Sequence, residues 1–168
     1  MSKERERYIR NLAEQVRATY DVSSLEGLKE AVTAHGILLI ESPEVLTPSA
    51  WYRPELDRTV IFTKTSRFED LRHWYLGHEF GHVILGHQDP GSESAVIKYP
   101  EKEREADMFV WILRGRRMDP IFQRYCQDIG LLLTRPLEVR RWNNPEYHDT
   151  QSKRILNAYL TGSLPSQG

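Results

Sequence analysis

Cysteine is all but absent from this chain. Cys126 stands alone among 168 residues, which excludes an internal disulfide framework and a cysteine-rich zinc module. It reads as a buried small hydrophobe. No apolar run approaches the ~20 residues that a membrane span needs. The opening Met1-Ser2-Lys3-Glu4-Arg5-Glu6-Arg7 mixes charges and has no apolar segment behind it, so it does not read as a signal peptide. Charge of one sign is also lacking: the formal net charge is -1, which makes no global case for nucleic-acid binding. There is no internal repeat and no low-complexity tract. What is present is a length of about one domain on a prior of roughly 100–200 residues each, enough to bury a core without staples. Four Trp, eight Tyr and five Phe argue against disorder. The expectation is a soluble, cytoplasmic protein with no membrane partner and an oligomeric state the sequence does not report.

The charge is uneven along the chain. Residues 1–110 hold 14 Lys+Arg against 19 Asp+Glu, a net of -5, whereas residues 111–168 hold 9 against 5, a net of +4. A basic tail on an acidic body can mark a surface for DNA or for an acidic partner, although scattered solvated charge is the plainer reading.

The periodicity predicts an α+β chain. Tyr8, Ile9, Leu12, Val16 and Tyr20 step along one face of a helix over 2–20. Ser23-Ser24-Leu25-Glu26 opens a second helix that ends near His35-Gly36. Ile37 to Ile40, Ala50 to Tyr52 and Thr59 to Thr63 read as three strands, with a turn between Pro54 and Asp57. The last of these strands is expected to present an edge to an extended peptide. Ser66-Arg67-Phe68-Glu69 has capping-box form. Behind it Phe68, Leu71, Tyr75, His78, His82 and Leu85 share one helix face, and the helix ends near Gly86. A polar loop spans roughly 88–99. Pro100 opens a helix that stops near Gly115. Asp119-Pro120 opens a further helix to about Gly130, and Thr134-Arg135-Pro136 another to Trp142. Asn143-Asn144-Pro145 interrupts, a last helix covers about 151–160, and the tail from Gly162 frays. Residues 1–115 form the core with its N-terminal helix, and 116–168 a helical C-terminal extension packed on it.

His78-Glu79-Phe80-Gly81-His82 is an H-E-x-x-H motif. Residues i and i+4 stand one above the other on a helix, so both imidazoles can reach one metal ion. Glu79 sits beside the metal, where it can take a proton from water and return it to a leaving amine. With six His and sixteen Glu in 168 residues, chance yields about 0.02 such motifs per chain. The alternative, a solvated face that happens to carry two histidines, fits poorly, because the histidines lie in phase with the apolar stripe. A catalytic zinc site wants a third protein ligand. The extended motif would need glycine at 85 and histidine at 88, where this chain has Leu85 and Gln88. His87, five residues past His82, rotates off the ligand face and reads as a helix C-terminal residue near exposed carbonyls. Glu103 and Asp107, at i and i+4 on the next helix, suit better: Glu103 as ligand, Asp107 accepting the far N–H of a histidine. Small Ala106 lets the two helices approach. Glu105 faces elsewhere, and Glu101 and Glu105 both read as charges at a helix N-terminus that favour the dipole. Zn²⁺ suits two histidines and one glutamate, and Mn²⁺ or Fe²⁺ could occupy such a site. Tyr99, Tyr147 and His148 are the candidates for an oxyanion partner, and Trp111 and Trp142 read as core aromatics.

His78 to His82 with Val83-Ile84-Leu85-Gly86-His87 behind it, then Glu103-Arg104-Glu105-Ala106-Asp107-Met108-Phe109, resembles the ImmA/IrrE metallopeptidases, small bacterial and phage-borne zincins. The likeness runs over roughly residues 5–142, from the Gly36-Ile37 strand start and the Val60 to Phe62 strand to Met118-Asp119-Pro120 beyond the site. The chain departs from the pattern at Val110 and in the basic stretch Leu113 to Arg117. The resemblance implies a zincin-like core, His78, His82 and Glu103 as zinc ligands, and Glu79 as the catalytic carboxylate. It further implies a single-cut regulatory protease. Its substrate would be a helix-turn-helix repressor of the XRE type, often encoded beside it, whose cleavage releases genes of mobile elements or stress responses.

Two other classes are compatible with the residues. One is a metal-stabilised anti-repressor that sequesters its partner without cutting it. The other is a DNA-binding regulator acting through helices in 119–142, whose spacing around Gly130 to Pro136 allows a helix-turn-helix. The small charge surplus and the core-like Leu131-Leu132-Leu133 disfavour direct DNA recognition.

Overall fold

The computed structural model describes residues 1–45, 48–87, 100–115 and 145–162. Among them the chain is α+β, with five helices and a three-stranded mixed sheet. The expected loop 88–99 and the expected helices over 116–142, with Cys126 and Trp142, lie outside the described residues. No helix among those described is long and apolar enough to cross a membrane.

Helix α1, Lys3–Thr19, starts where the Ser2 hydroxyl accepts from the Arg5 backbone N–H at 3.1 Å, a standard N-cap. It buries Ile9, Ala13 and Val16. Tyr8, expected on that stripe, is 47% exposed. The inward line runs i, i+4, i+7 from Ile9, and the Tyr8 ring instead lies beneath the Arg5 guanidinium. Helix α2, Leu25–Ala34, is capped by Ser24, which accepts from Gly27 N–H at 3.0 Å.

Strands β1 (Leu38–Glu41), β2 (Ser49–Arg53) and β3 (Arg58–Thr63) form a sheet ordered β1-β3-β2. Strand β3 runs parallel to β1, with Leu38 opposite Val60, and antiparallel to β2, with Ala50 opposite Ile61. It is therefore the central strand. The expectation that residues 59–63 offer an edge is corrected: both sides of β3 are already hydrogen-bonded, and the outer edges of this sheet belong to β1 and β2. Alternation explains the strand sequences. Ile37, Ala50 and Ile61 enter the core made with α1, α2 and the next two helices. Ile40, Trp51, Val60 and Phe62 pack on the other face against Ile155 and Leu156. A sheet covered on both faces needs apolar residues at nearly every position, hence the unbroken Ile37-Leu38-Leu39-Ile40 and Val60-Ile61-Phe62.

Helix α3, Glu69–Ile84, begins without a side-chain cap. The expected capping box does not form. The Ser66 hydroxyl accepts from Phe68 N–H at 3.1 Å, a local turn that spends the hydroxyl before the helix starts, and Phe68 is largely exposed. Polar contacts hold α3 in place. Buried Glu41 of β1 accepts from Arg72 at 3.0 and 3.1 Å and pairs with Lys29 at 3.0 Å. Burial pushes the Glu41 carboxyl up, but these cations outweigh it and hold it below the usual range. Buried His73 donates to Val22 O at 2.7 Å.

Helix α4, Pro100–Arg114, crosses α3 at close range. A Cβ on Gly77 would stand 2.5 Å from Val110 Cγ2, and one on Gly81 would stand 3.0 Å from Phe109 Cδ1 and 3.4 Å from the Ala106 carbonyl oxygen. Ala106, Phe109 and Val110 are fully buried in this contact. Buried Arg114 closes its far end by donating to Asp70 Oδ1 at 3.2 Å. Trp111 is half-buried, edge-on to Trp74 with ring centroids 5.4 Å apart. The last described helix, α5, spans Pro145–Leu160. It starts six residues before the expected 151, because Pro145 occupies the first helical position, where its missing N–H costs nothing.

Gly77→Ala should destabilise the fold. Alanine gains about 1 kcal/mol of helix propensity, but forcing Cβ against a β-branched Val110 costs about 1–3 kcal/mol. Denaturant titration of Gly77→Ala, Val110→Ala and the double variant checks this. The pair should be less unstable than the sum of the singles, and additive losses would contradict the steric account.

Candidate metal centre

Three elements build the site. Helix α3 carries His78, Glu79 and His82, α4 carries Glu103, Glu105 and Asp107, and His87 follows three residues past Ile84, the last residue of α3. The nitrogens and carboxylate oxygen of His78, Glu79 and His82 lie within 4.8 Å of one another, the one such grouping of potential metal ligands among the described residues. His78 Nε2 stands 3.1 Å from His82 Nε2. The Glu103 carboxylate spans both, at 2.9 Å from His78 and 3.2 Å from His82. The close helix crossing makes this reach possible, since a short carboxylate from α4 must touch both rings of α3.

Asp107 Oδ1 lies 2.9 Å from His78 Nδ1, the ring nitrogen turned away from Glu103. A carboxylate only accepts, so His78 Nδ1 donates. In a neutral ring this leaves Nε2 with a bare lone pair facing a carboxylate and a second imidazole. A cation at the point where these lone pairs converge would satisfy them together. The donor set, two imidazoles and one carboxylate with a further carboxylate beside them, fits Zn²⁺. Without a metal, the cation is a proton. Burial is the largest single influence on His78 and pushes it down, but Asp107 and Glu103 outweigh burial and raise it from 6.5 to about 10.

Glu79 is 5% exposed, and among the described residues no hydrogen bond is made by its carboxylate. It lies next to the histidine pair with its lone pairs uncommitted. Glu101 is exposed in the first turn of α4. The expected oxyanion candidates cannot be placed: Tyr99 lies outside the described residues, as do the side chains of Tyr147 and His148.

His87 and Glu105 differ from expectation. His87 was expected to rotate off the ligand face, as it would in a continuing helix. The helix instead ends in a Schellman turn: Gly86, at φ 72°, donates to Val83 O at 3.1 Å and His87 N–H to His82 O at 2.9 Å, the paired bonds of that motif. The turn folds the chain back, and His87 Nδ1 meets His82 Nδ1 at 2.9 Å. The His87 ring is buried at 5% exposure. Burial pushes its pKa down, so the ring is neutral near pH 7. Glu105 does face away from Glu103, but its role is not that of a dipole charge. It accepts from Arg5 Nε and Nη2 at 2.9 and 2.7 Å and from His87 Nε2 at 2.8 Å. The Arg5 bond holds the Glu105 carboxyl below its ordinary range. The sequence signals for these features were the Gly-His pair closing α3 and the i, i+4 glycines Gly77 and Gly81.

Comparison of the chain with protein-family models, with curated proteins and with solved structures finds no match.

The raised His78 makes stability pH-dependent in chelator-treated protein. A group whose folded pKa lies above its unfolded value contributes fully below the unfolded pKa and loses that contribution as pH rises through the folded one. The contribution of His78 is thus whole below about 6.5 and gone above about 10. Denaturant titrations across that window should show wild-type stability falling more steeply than that of His78→Gln. Equal slopes would contradict the assignment.

Proposed function

We propose that this chain is a zinc-dependent endopeptidase that makes a site-specific cut in a protein partner, a helix-turn-helix repressor of the XRE type, and thereby derepresses genes. The observation that carries the metallopeptidase reading is the convergence of His78 Nε2, His82 Nε2 and the Glu103 carboxylate at 2.9–3.2 Å, with buried Glu79 uncommitted beside them. The choice of partner rests on the likeness of His78 to His82 and Glu103 to Phe109 to the ImmA/IrrE enzymes.

His78, His82 and Glu103 would hold the metal. When bound, Zn²⁺ supplies a Lewis acid for the scissile carbonyl and brings the pKa of water to about 7. Glu79 accepts a proton from the attacking water on its free carboxylate oxygen and delivers it to the amine leaving group. Its burial keeps bulk water from competing for that proton. Asp107 holds the Nδ1 proton of His78 and keeps its Nε2 turned to the centre. Among the described residues no side chain takes the oxyanion role.

Metal analysis by mass spectrometry of chain purified without chelator should find about one zinc per wild-type chain and none in His82→Ala. Glu79→Gln should keep the metal and lose about 10²–10⁴-fold in cleavage rate, read as intact mass of a neighbouring repressor incubated with the zinc-loaded chain. Absence of metal in the wild type would overturn the proposal. A Glu79→Gln variant that still neutralises the repressor would favour sequestration without cutting.

A further inference from the structure

We propose that Arg5 and Glu105, acting through His87, set the tautomer of His82 and thereby the metal affinity of the centre. The inference rests on the reading of His78, His82 and Glu103 as metal ligands, and makes the N-terminal helix a working part of the site.

Four side chains from α1, α4, the α3 terminus and α3 line up head to tail. Arg5 Nε and Nη2 reach the two oxygens of Glu105 at 2.9 and 2.7 Å. Glu105 Oε2 lies 2.8 Å from His87 Nε2, and His87 Nδ1 lies 2.9 Å from His82 Nδ1. His82 Nε2 then faces His78 Nε2 and Glu103.

With neutral rings this chain admits one arrangement of protons. A guanidinium only donates, and a carboxylate bound to it by both oxygens only accepts. His87 Nε2 must therefore carry its proton toward Glu105. A neutral imidazole has one N–H, so His87 Nδ1 is bare and accepts. His82 Nδ1 must then donate, which leaves its lone pair on Nε2, aimed at the point shared with His78 and Glu103. That is the tautomer a metal needs. With a donor in place of Glu105 the sequence reverses: His87 donates from Nδ1, His82 carries its proton on Nε2, and that proton obstructs the centre.

The anchors of the chain are held. The Arg5 guanidinium is centred 5.0 Å from the Tyr8 ring centroid, a cation–π contact that limits its swing. The Schellman turn at Gly86 fixes where His87 returns to His82. His78 is oriented by one direct carboxylate, Asp107. Among the described residues His82 has no carboxylate of its own on Nδ1, and it is oriented by a three-residue chain that ends near the start of α1.

The test is the Zn²⁺ affinity of the full chain, by competition with a chromophoric chelator, together with ¹⁵N NMR of the ring nitrogens in chelator-treated protein. The wild type should show the His82 proton on Nδ1 and the His87 proton on Nε2. Glu105→Gln and His87→Leu should weaken zinc binding about 10–100-fold, with thermal unfolding of the chelator-treated proteins little changed. Arg5→Met should act in the same direction and by less. His87→Asn offers a carbonyl oxygen to His82 Nδ1 and should restore most of the affinity, which a merely packing role would not predict. Arg5 lies at the surface end of the chain, so Arg5→Met reads the anchoring of Glu105, and the contrast of His87→Leu with His87→Asn decides the proton order. Variants that bind zinc as the wild type does, or a His82 proton found on Nε2, would overturn this proposal and leave the metal centre standing. A wild-type chain that binds no zinc would overturn the metal-centre reading itself.

Discussion

The crossing of α3 over α4 depends on two missing side chains. At Gly77 and Gly81 the helices approach so closely that a methyl group would strike Val110 or Phe109. That distance governs everything at the site. The histidines project from α3, and the carboxylates that meet them project from α4 one turn apart. A wider approach would draw the Glu103 carboxylate away from the two Nε2 atoms it now meets at 2.9 and 3.2 Å. It would also part Asp107 from His78. The ion pairs of Glu41 with Arg72 and Lys29, and of Arg114 with Asp70, keep α3 from sliding along this contact.

Each histidine of the pair has one nitrogen committed outward and one turned inward, and the outward partners differ. Asp107 serves His78 directly. His82 reaches its carboxylate through His87, and that carboxylate is neutralised by Arg5. The arrangement places the negative charge of Glu105 away from the centre and shields it with a guanidinium. Asp107 and Glu103 act on His78 at contact distance, which is why this ring holds a proton so strongly when no metal competes for Nε2.

Much of the site was legible from spacing. The i, i+4 pairs His78/His82 and Glu103/Asp107 each define a helix face, and helical geometry is local enough that a face follows from sequence alone. The types of the described elements were legible as well, because hydrophobic period separates strands from helices. Several features were not. The Ser66 box has the letters of a cap, yet its hydroxyl is taken by a nearer backbone N–H. Tyr8 is in phase with the stripe of α1, but Ala13 draws the buried line one residue away. The order of strands is not local at all, so residues 59–63 read as an edge and stand in the middle.

His87 shows the division most clearly. Counted along a helix it turns off the ligand face, and that count holds until Gly86 adopts a left-handed conformation and reverses the chain. The sequence by itself determined the residue types, the faces on which they lie and the two helices that carry them, because these follow from local periodicity and proton chemistry. Only the tertiary structure decided that the two faces meet, that β3 is central, and that Arg5 ends a proton-ordered chain one hundred positions away from Glu105. Those outcomes depend on how close two backbones come and on which element lies alongside which. Such distances are set by packing among residues far apart in the chain, and no local pattern contains them.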